Sequence, residues 1–172
     1  MTMAPRLRKA VLTTHVATSV GWLGAVAAYL ALDTTATVSQ DVPTARAAYV
    51  AMDVTVSYVI VPLALTSVLI GIINALGTSW GLFRHYWVLM KLLLTLVATG
   101  VLLLEAPTVD ALADRAASGA DPRQLPGTLA HSIGGLAVLL AIIILSVYKP
   151  RGMTRYGWRR SASTRPSLSA TR

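Results

Sequence analysis

Four side chains recur at helical spacing in an otherwise apolar run near the start of the chain. His15, Thr18, Ser19 and Trp22 stand at positions i, i+3, i+4 and i+7, which places them on one face of an α-helix. An imidazole can ligate a metal, carry a proton or hydrogen-bond a neighbouring helix. Polar groups within apolar helices usually face the protein interior, so this face is predicted to form one wall of an internal pocket.

A second stripe of this kind lies in a later apolar run, where Trp87, Lys91 and Thr95 follow one another at intervals of four residues. If both runs cross a membrane, His15 and Lys91 each lie about 8 Å inside the same face of it, at the usual rise per residue of a helix. This matched depth predicts that the two side chains line one pocket.

The other two histidines differ in depth. His131 lies near the opposite end of its run, about 15–20 Å from His15, so these two are poorly placed to ligate one metal ion or one haem. His85 is the better-placed second histidine, one to two turns below His15. By depth alone, His131 could pair with Asp53 or Glu105.

Several of these features also have a purely structural interpretation. His15 could simply hydrogen-bond a neighbouring helix, and Lys91 could extend its amine to the lipid headgroups. The pair Gly134–Gly135 in the last apolar run could be a notch for helix packing. The spacing of the residues leaves these alternatives open.

The composition is that of an integral membrane protein. The 172 residues are 55% hydrophobic and 13% charged, with a mean hydropathy of +0.63, whereas soluble domains carry about 25% charged residues. There is no cysteine, which excludes disulfides and thiolate metal sites. Four runs are long enough to cross a bilayer, at 10–32, 57–76, 86–104 and 127–148. They predict an all-α, polytopic four-helix transmembrane bundle over 1–150, followed by a basic, disordered tail over 151–172.

The charges predict the orientation of the bundle. Twelve of the 15 basic residues fall on one side of the four spans, and all seven acidic residues fall on the other. The positive-inside rule therefore predicts that both termini are cytoplasmic, with the first span retained as an anchor rather than cleaved as a signal peptide. The net charge of +8 is assigned to a basic collar and tail that contact anionic headgroups, and not to nucleic-acid binding.

The segments that connect the four spans are predicted to be less regular than the spans themselves. The threonine-rich stretch 33–43 is predicted to be a loop, and 105–126 a solvated loop or a short interfacial helix. The polar residues 44–56 are predicted to continue the second helix above the bilayer. Pro62 is predicted to kink that helix.

The two stripes together resemble a broad group of small bacterial membrane proteins. His15-x6-Trp22 followed by Leu-Gly, with Trp87-x3-Lys91 followed by LLLTL, is similar to motifs of the HemJ protoporphyrinogen oxidases, the CopD copper-resistance membrane domain and a related uncharacterised family. The uncharacterised family is the most similar in overall appearance. The resemblance covers about a quarter of the chain and implies a multi-pass protein of the bacterial cytoplasmic membrane.

The resemblance also implies a cofactor. In HemJ-like proteins the corresponding histidine and lysine belong to a haem or porphyrin site, which makes haem b the expected group here. His15 would ligate the iron, Lys91 would pair with a propionate, and Trp22, Trp87 and His85 would complete the site. This chain lacks the further histidines of those proteins, and its dispersed methionines do not support copper transport.

Two functional hypotheses follow, and the sequence does not decide whether the protein is an enzyme. The first is a haem- or porphyrin-binding protein with a redox role, whose site lies between the first and third spans in the inner leaflet. The second is a cofactor-free membrane protein, either an assembly subunit that contacts other membrane subunits or further copies of itself, or a permeation module for small molecules.

Overall fold

The computed structural model describes residues 3–77 and 85–148, together with positions 152, 154 and 158. The regular elements in these ranges are helical. In chain order they are α1 (Pro5–Val38), α2 (Val42–Thr55), a π-helical turn (Val56–Ile60), α3 (Val61–Leu76), α4 (Tyr86–Ala117), a 3₁₀ turn (Pro122–Gln124) and α5 (Leu129–Tyr148). The sequence prediction for the tail over 151–172 concerns residues that lie mostly outside these ranges.

The predicted fold class is confirmed. Four helical segments are long and apolar enough to cross a membrane, namely α1, the continuous stretch Val42–Leu76, α4 and α5. Large apolar side chains such as Val20, Leu69, Leu93 and Leu140 are exposed on the surface of the bundle, as expected for helices solvated by lipid. The protein is therefore a multi-pass membrane protein. That both of its termini lie on the cytoplasmic side stays a prediction.

The two ends of the bundle differ in charge, and they are named here by that difference. The acidic end holds Asp33, Glu105 and His131, and it is the predicted outer end. The basic end holds His15 and Lys91, and it is the predicted cytoplasmic end.

The first connection is shorter than predicted, because α1 continues through the threonine-rich stretch to Val38. The Thr34, Thr35 and Thr37 hydroxyls donate to the carbonyls four residues earlier, at 2.8–2.9 Å. Such back-bonding satisfies the hydroxyls inside a helix. The prediction of a loop over 33–43 is therefore wrong for most of its length, and only 39–41 separate α1 from α2.

The second span is one long helix interrupted by the π-helical turn. Residues 44–56 continue it above the predicted span, as expected, and the π-helical turn lies directly before Pro62. Proline lacks an N–H, and its ring clashes with the carbonyl four residues earlier in a regular α-helix. The helix therefore widens by one residue at this turn, where the Val61 N–H donates to the Val56 carbonyl five residues earlier. The π-helical turn is how the structure accommodates Pro62, where the sequence predicted a kink of the helix.

The third span also exceeds its predicted length. Helix α4 extends to Ala117 and includes Pro107, so the first half of the predicted loop 105–126 is helical and continuous with the span. The rest contains the 3₁₀ turn, where Arg123 donates two hydrogen bonds to Asp121 at 3.0 and 2.8 Å. These hydrogen bonds lower the pKa of the Asp121 carboxyl.

The extensions pack into a dense layer at the acidic end. Small alanines on facing helices let the backbones approach closely, and the Tyr49 hydroxyl donates to the Leu125 and Pro126 carbonyls at 3.3 and 3.4 Å. The buried members of this layer include Ala36, Ala45, Ala48, Met52, Leu112 and Ala116. Below the layer, cavities lie between the described helices.

Candidate functional site

The first cavity lies at the basic end and is the pocket that the two polar stripes predict. Its volume is about 70 Å³, and His15 and Trp22 from α1 line it together with Lys91 from α4. The Ser19 and Ser67 hydroxyls, which also line it, hydrogen-bond each other at 2.8 Å across α1 and α3. The structure thus brings three of the five predicted site residues to one cavity.

The position of His15 depends on a glycine in α3. A Cβ built on Gly71 would lie 2.9 Å from Cε1 of the His15 ring, so only a glycine leaves room for the ring where it lies. The Nδ1 atom of His15 is buried and lacks a hydrogen-bond partner among the described residues. A buried polar atom without a partner is uncommon in folded proteins and is often explained by an ion or a water molecule.

The other two predicted site residues lie beside the cavity, outside its lining. The Lys91 ammonium lies 5.5 Å from the centroid of the Trp87 ring, a cation–π contact. The His85 ring stacks on Trp87 with centroids 6.4 Å apart and an interplanar angle of 13°. His85 therefore packs beside Trp87, outside the lining of this cavity, and its role as a second histidine stays a prediction.

The predicted haem does not fit this cavity. A volume of about 70 Å³ is far too small for a haem, because pockets for smaller, drug-sized molecules already occupy about 300–1,000 Å³. A porphyrin would need the helices around His15 to separate. Among the described residues, no three His, Asp or Glu side chains form a group that could hold a metal ion.

The second cavity lies in the half of the bundle toward the acidic end and is four times larger, about 280 Å³. Its walls are mostly apolar and come from α1, the π-helical turn, α4 and α5. The exposed side chains of Val97 and Val101 contribute to its lining, so the cavity opens on the lipid-facing surface. The lining includes Trp22, Tyr29, Ile60, Leu102, Val109 and Val138.

Gly134 and Gly135 form part of this lining on α5. A Cβ built on either glycine would meet nothing within 4 Å among the described residues. Among the described residues, no neighbouring helix packs closely against the two glycines, as a notch for helix packing would require. The two glycines instead leave open space where larger side chains would fill the cavity.

The polar groups of the larger cavity gather at the acidic end. The His131 Nε2 and Glu105 Oε1 atoms are 3.5 Å apart, while Asp53 accepts a hydrogen bond from the Ser57 hydroxyl instead. Of the two partners that depth allowed for His131, the structure thus selects Glu105. The separation is long for a hydrogen bond, so both groups keep capacity to bind a third group.

The sequence reasoning missed Asp33, which is fully buried between α1 and the start of α5. Its carboxylate accepts hydrogen bonds from the Thr128 N–H at 3.1 Å, the Thr128 hydroxyl at 2.9 Å and the Ser132 hydroxyl at 2.8 Å. The Tyr29 hydroxyl completes the network by donating to Thr128 Oγ1 at 2.8 Å. Asp33 lies on the same face of α1 as Trp22 and Tyr29, because it follows them at helical spacing. This spacing was a signal available in the sequence.

Trp22 and Leu139 line both cavities and separate them. Both side chains are buried, with 3% and 6% of their surface exposed. His15 and His131 consequently lie in different cavities, in agreement with their predicted difference in depth.

Scans against protein-family models, curated proteins and solved structures return no match for this chain.

Proposed function

We propose that this protein binds a lipid-soluble, amphipathic small molecule in the larger cavity. The observation that carries the proposal is an apolar cavity of about 280 Å³ whose polar groups are confined to the acidic end. Binding sites for small molecules are typically concave and mostly apolar, with a few polar groups that fix the orientation.

The polar groups define the head of this molecule. Glu105 offers acceptor oxygens, and the His131 imidazole can donate or accept depending on its tautomer. The side chain of His131 is 54% exposed, so it can reach a head group at the mouth of the cavity. A ring or chain bearing hydroxyl or carbonyl groups matches these partners, with its apolar part against α4 and α5.

We expect a benzoquinone with a decyl tail to quench Trp22 fluorescence saturably in the full-length protein. His131→Phe should weaken this binding about tenfold, because losing one or two hydrogen bonds costs about 1–2 kcal/mol. Fluorescence titration in nonionic detergent measures both affinities, and Trp22→Phe identifies the origin of the signal.

The matched control is His85→Phe, since His85 lies outside the lining of the larger cavity. It should leave the affinity for the quinone unchanged. Quenching that rises without saturation, or that is equally weak in both histidine variants, would show partition into the micelle and contradict the proposal.

A second candidate, a permeation module for small molecules, is favoured by the arrangement of the two cavities. They adjoin each other along the bundle, and the wall between them contains Trp22 and Leu139. A solute that crosses this wall would pass from the acidic end toward the basic end.

For this candidate we expect Trp22→Ala to raise urea flux into proteoliposomes several-fold, because it joins the two cavities. Trp87→Ala removes a tryptophan outside both linings and should leave the flux at the wild-type level. Stopped-flow light scattering measures the flux. Equal fluxes in the two variants and the wild type would rule this candidate out.

A further inference from the structure

We infer that the larger cavity selects a ligand whose head group donates hydrogen bonds, such as a hydroquinone, over a ligand whose head group only accepts them. The inference rests on the proposed function, because it concerns the same site and adds the class of ligand. It is carried by the direction of the hydrogen bonds at the acidic end of the cavity, which follows from the buried Asp33 carboxylate.

The hydroxyl hydrogens of this network are all directed toward Asp33. A carboxylate only accepts hydrogen bonds, and Asp33 accepts from the Thr128 and Ser132 hydroxyls at 2.9 and 2.8 Å. Because the hydrogen of Thr128 is used in this way, Tyr29 is the donor in the contact of 2.8 Å between the Tyr29 and Thr128 hydroxyls. Tyr29, Thr128 and Ser132 line the cavity, so their hydroxyls have no hydrogen left for a ligand and can offer it only oxygen lone pairs.

The pair at the mouth of the cavity adds further acceptors. Glu105 lines the cavity, and the described residues of the lining include no lysine or arginine. The Nε2 atom of His131 lies 3.5 Å from Glu105 Oε1, which favours the tautomer with its hydrogen on Nε2 and leaves Nδ1 as an acceptor. A head group that only accepts must compete with Glu105 for this hydrogen, whereas a hydroxyl can donate to the carboxylate directly.

The indole N–H of Trp22 is also a donor, but Trp22 lies at the opposite end of the cavity. It also lines the cavity at the basic end, and it precedes Tyr29 by two turns of α1, about 10 Å along the helix. The head of a ligand at the acidic end therefore meets acceptors. A site built to pair with a hydroxyl rejects an analogue without one strongly, because its own polar groups are then left unpaired.

Three ligands that share one ring and one decyl tail test the inference, namely the hydroquinone, the benzoquinone and the dimethyl ether of the hydroquinone. Isothermal titration calorimetry under argon measures their affinities for the full-length protein in nonionic detergent, with a titration into protein-free micelles subtracted. We expect the hydroquinone to bind about tenfold more tightly than the benzoquinone, because a hydrogen bond to a charged group is worth about that factor or more. The dimethyl ether keeps the ring and loses both donors, so it should also bind about tenfold more weakly than the hydroquinone.

Glu105→Gln exchanges a carboxylate that only accepts for an amide that can also donate. It should weaken the binding of the hydroquinone about tenfold and leave that of the benzoquinone equal or tighter, a change in preference that a loss of structure would not produce. Asp110→Asn is the matched control, since Asp110 is exposed on α4 and lies outside the lining. It should keep the preference of the wild type.

Tyr29→Phe removes one acceptor and keeps the ring in the lining. It should weaken the binding of the hydroquinone several-fold and change that of the benzoquinone by less than about twofold. Tyr58→Phe removes the same hydroxyl from a side chain that is 76% exposed and lies outside the lining, so it should alter neither affinity.

The ligand series separates the inference from the function on which it rests. Binding of the benzoquinone as tight as that of the hydroquinone would overturn the inference and leave the proposed function standing. Equal affinities of the hydroquinone and its dimethyl ether would overturn it as well, because the shape of the ring and not its donors would then decide. Saturable binding of none of the three ligands would refute the proposed function and this inference with it.

Discussion

Asp33→Ala is expected to lower the free energy of unfolding by about 2–4 kcal/mol, because hydrogen bonds to a charged group are the strong ones. The substitution leaves the Thr128 N–H and two hydroxyls without their acceptor in a fully buried place. It also detaches the start of α5 from α1. Reversible unfolding in mixed detergent micelles measures the loss.

Asp110→Ala is the control, since Asp110 is an exposed acid of α4 on the same side of the bundle. Its effect should stay within about 0.5 kcal/mol. Asp33→Asn should recover part of the loss, because an amide oxygen still accepts from Thr128. Equal stabilities of Asp33→Ala and Asp110→Ala would show that the buried network contributes nothing.

Gly135→Leu is expected to abolish saturable quinone binding without loss of stability. A Cβ at Gly135 meets nothing within 4 Å, so the leucine side chain extends into the larger cavity and occupies the space of the ligand. Replacing a helical glycine also favours the helix by about 0.5–1 kcal/mol. Quinone titration and unfolding, measured on the same preparation, separate the two effects.

Gly100→Leu provides the comparison, because Gly100 is exposed on α4 and lies outside the cavity lining, and a Cβ built on it would meet nothing within 4 Å among the described residues. It adds the same side chain to the surface and should leave binding intact. Undiminished binding in Gly135→Leu would place the ligand elsewhere and refute the assignment of the larger cavity. Loss of binding in both variants would point to a general effect of added bulk.

The apolar runs predict the four spans well, because length and composition alone decide whether a helix can cross a bilayer. Their ends are predicted poorly. Helices α1 and α4 continue to Val38 and Ala117, beyond the apolar residues, since back-bonded threonines and packing between the extensions support them there. Such support depends on contacts between segments that are distant in the sequence.

The candidate sites show the same difference between features that the local sequence predicts and features that depend on distant contacts. Spacing on one helix and depth along another predicted that His15 and Lys91 would meet, and depth also offered Glu105 as a partner of His131. The buried role of Asp33 escaped prediction, because it depends on donors 95 and 99 residues away. The volumes of the cavities escaped it as well, since empty space is what remains after all four helices have packed.

The same separation sets an order of events during synthesis. Thr128 and Ser132 lie at the start of the last span, about 100 residues after Asp33. At ordinary translation rates, these donors are therefore synthesised roughly 5–20 s after Asp33. During this interval the carboxylate lacks the donors that it has in the finished bundle. Closure of the network around Asp33 therefore requires the first and last helices to be in place together.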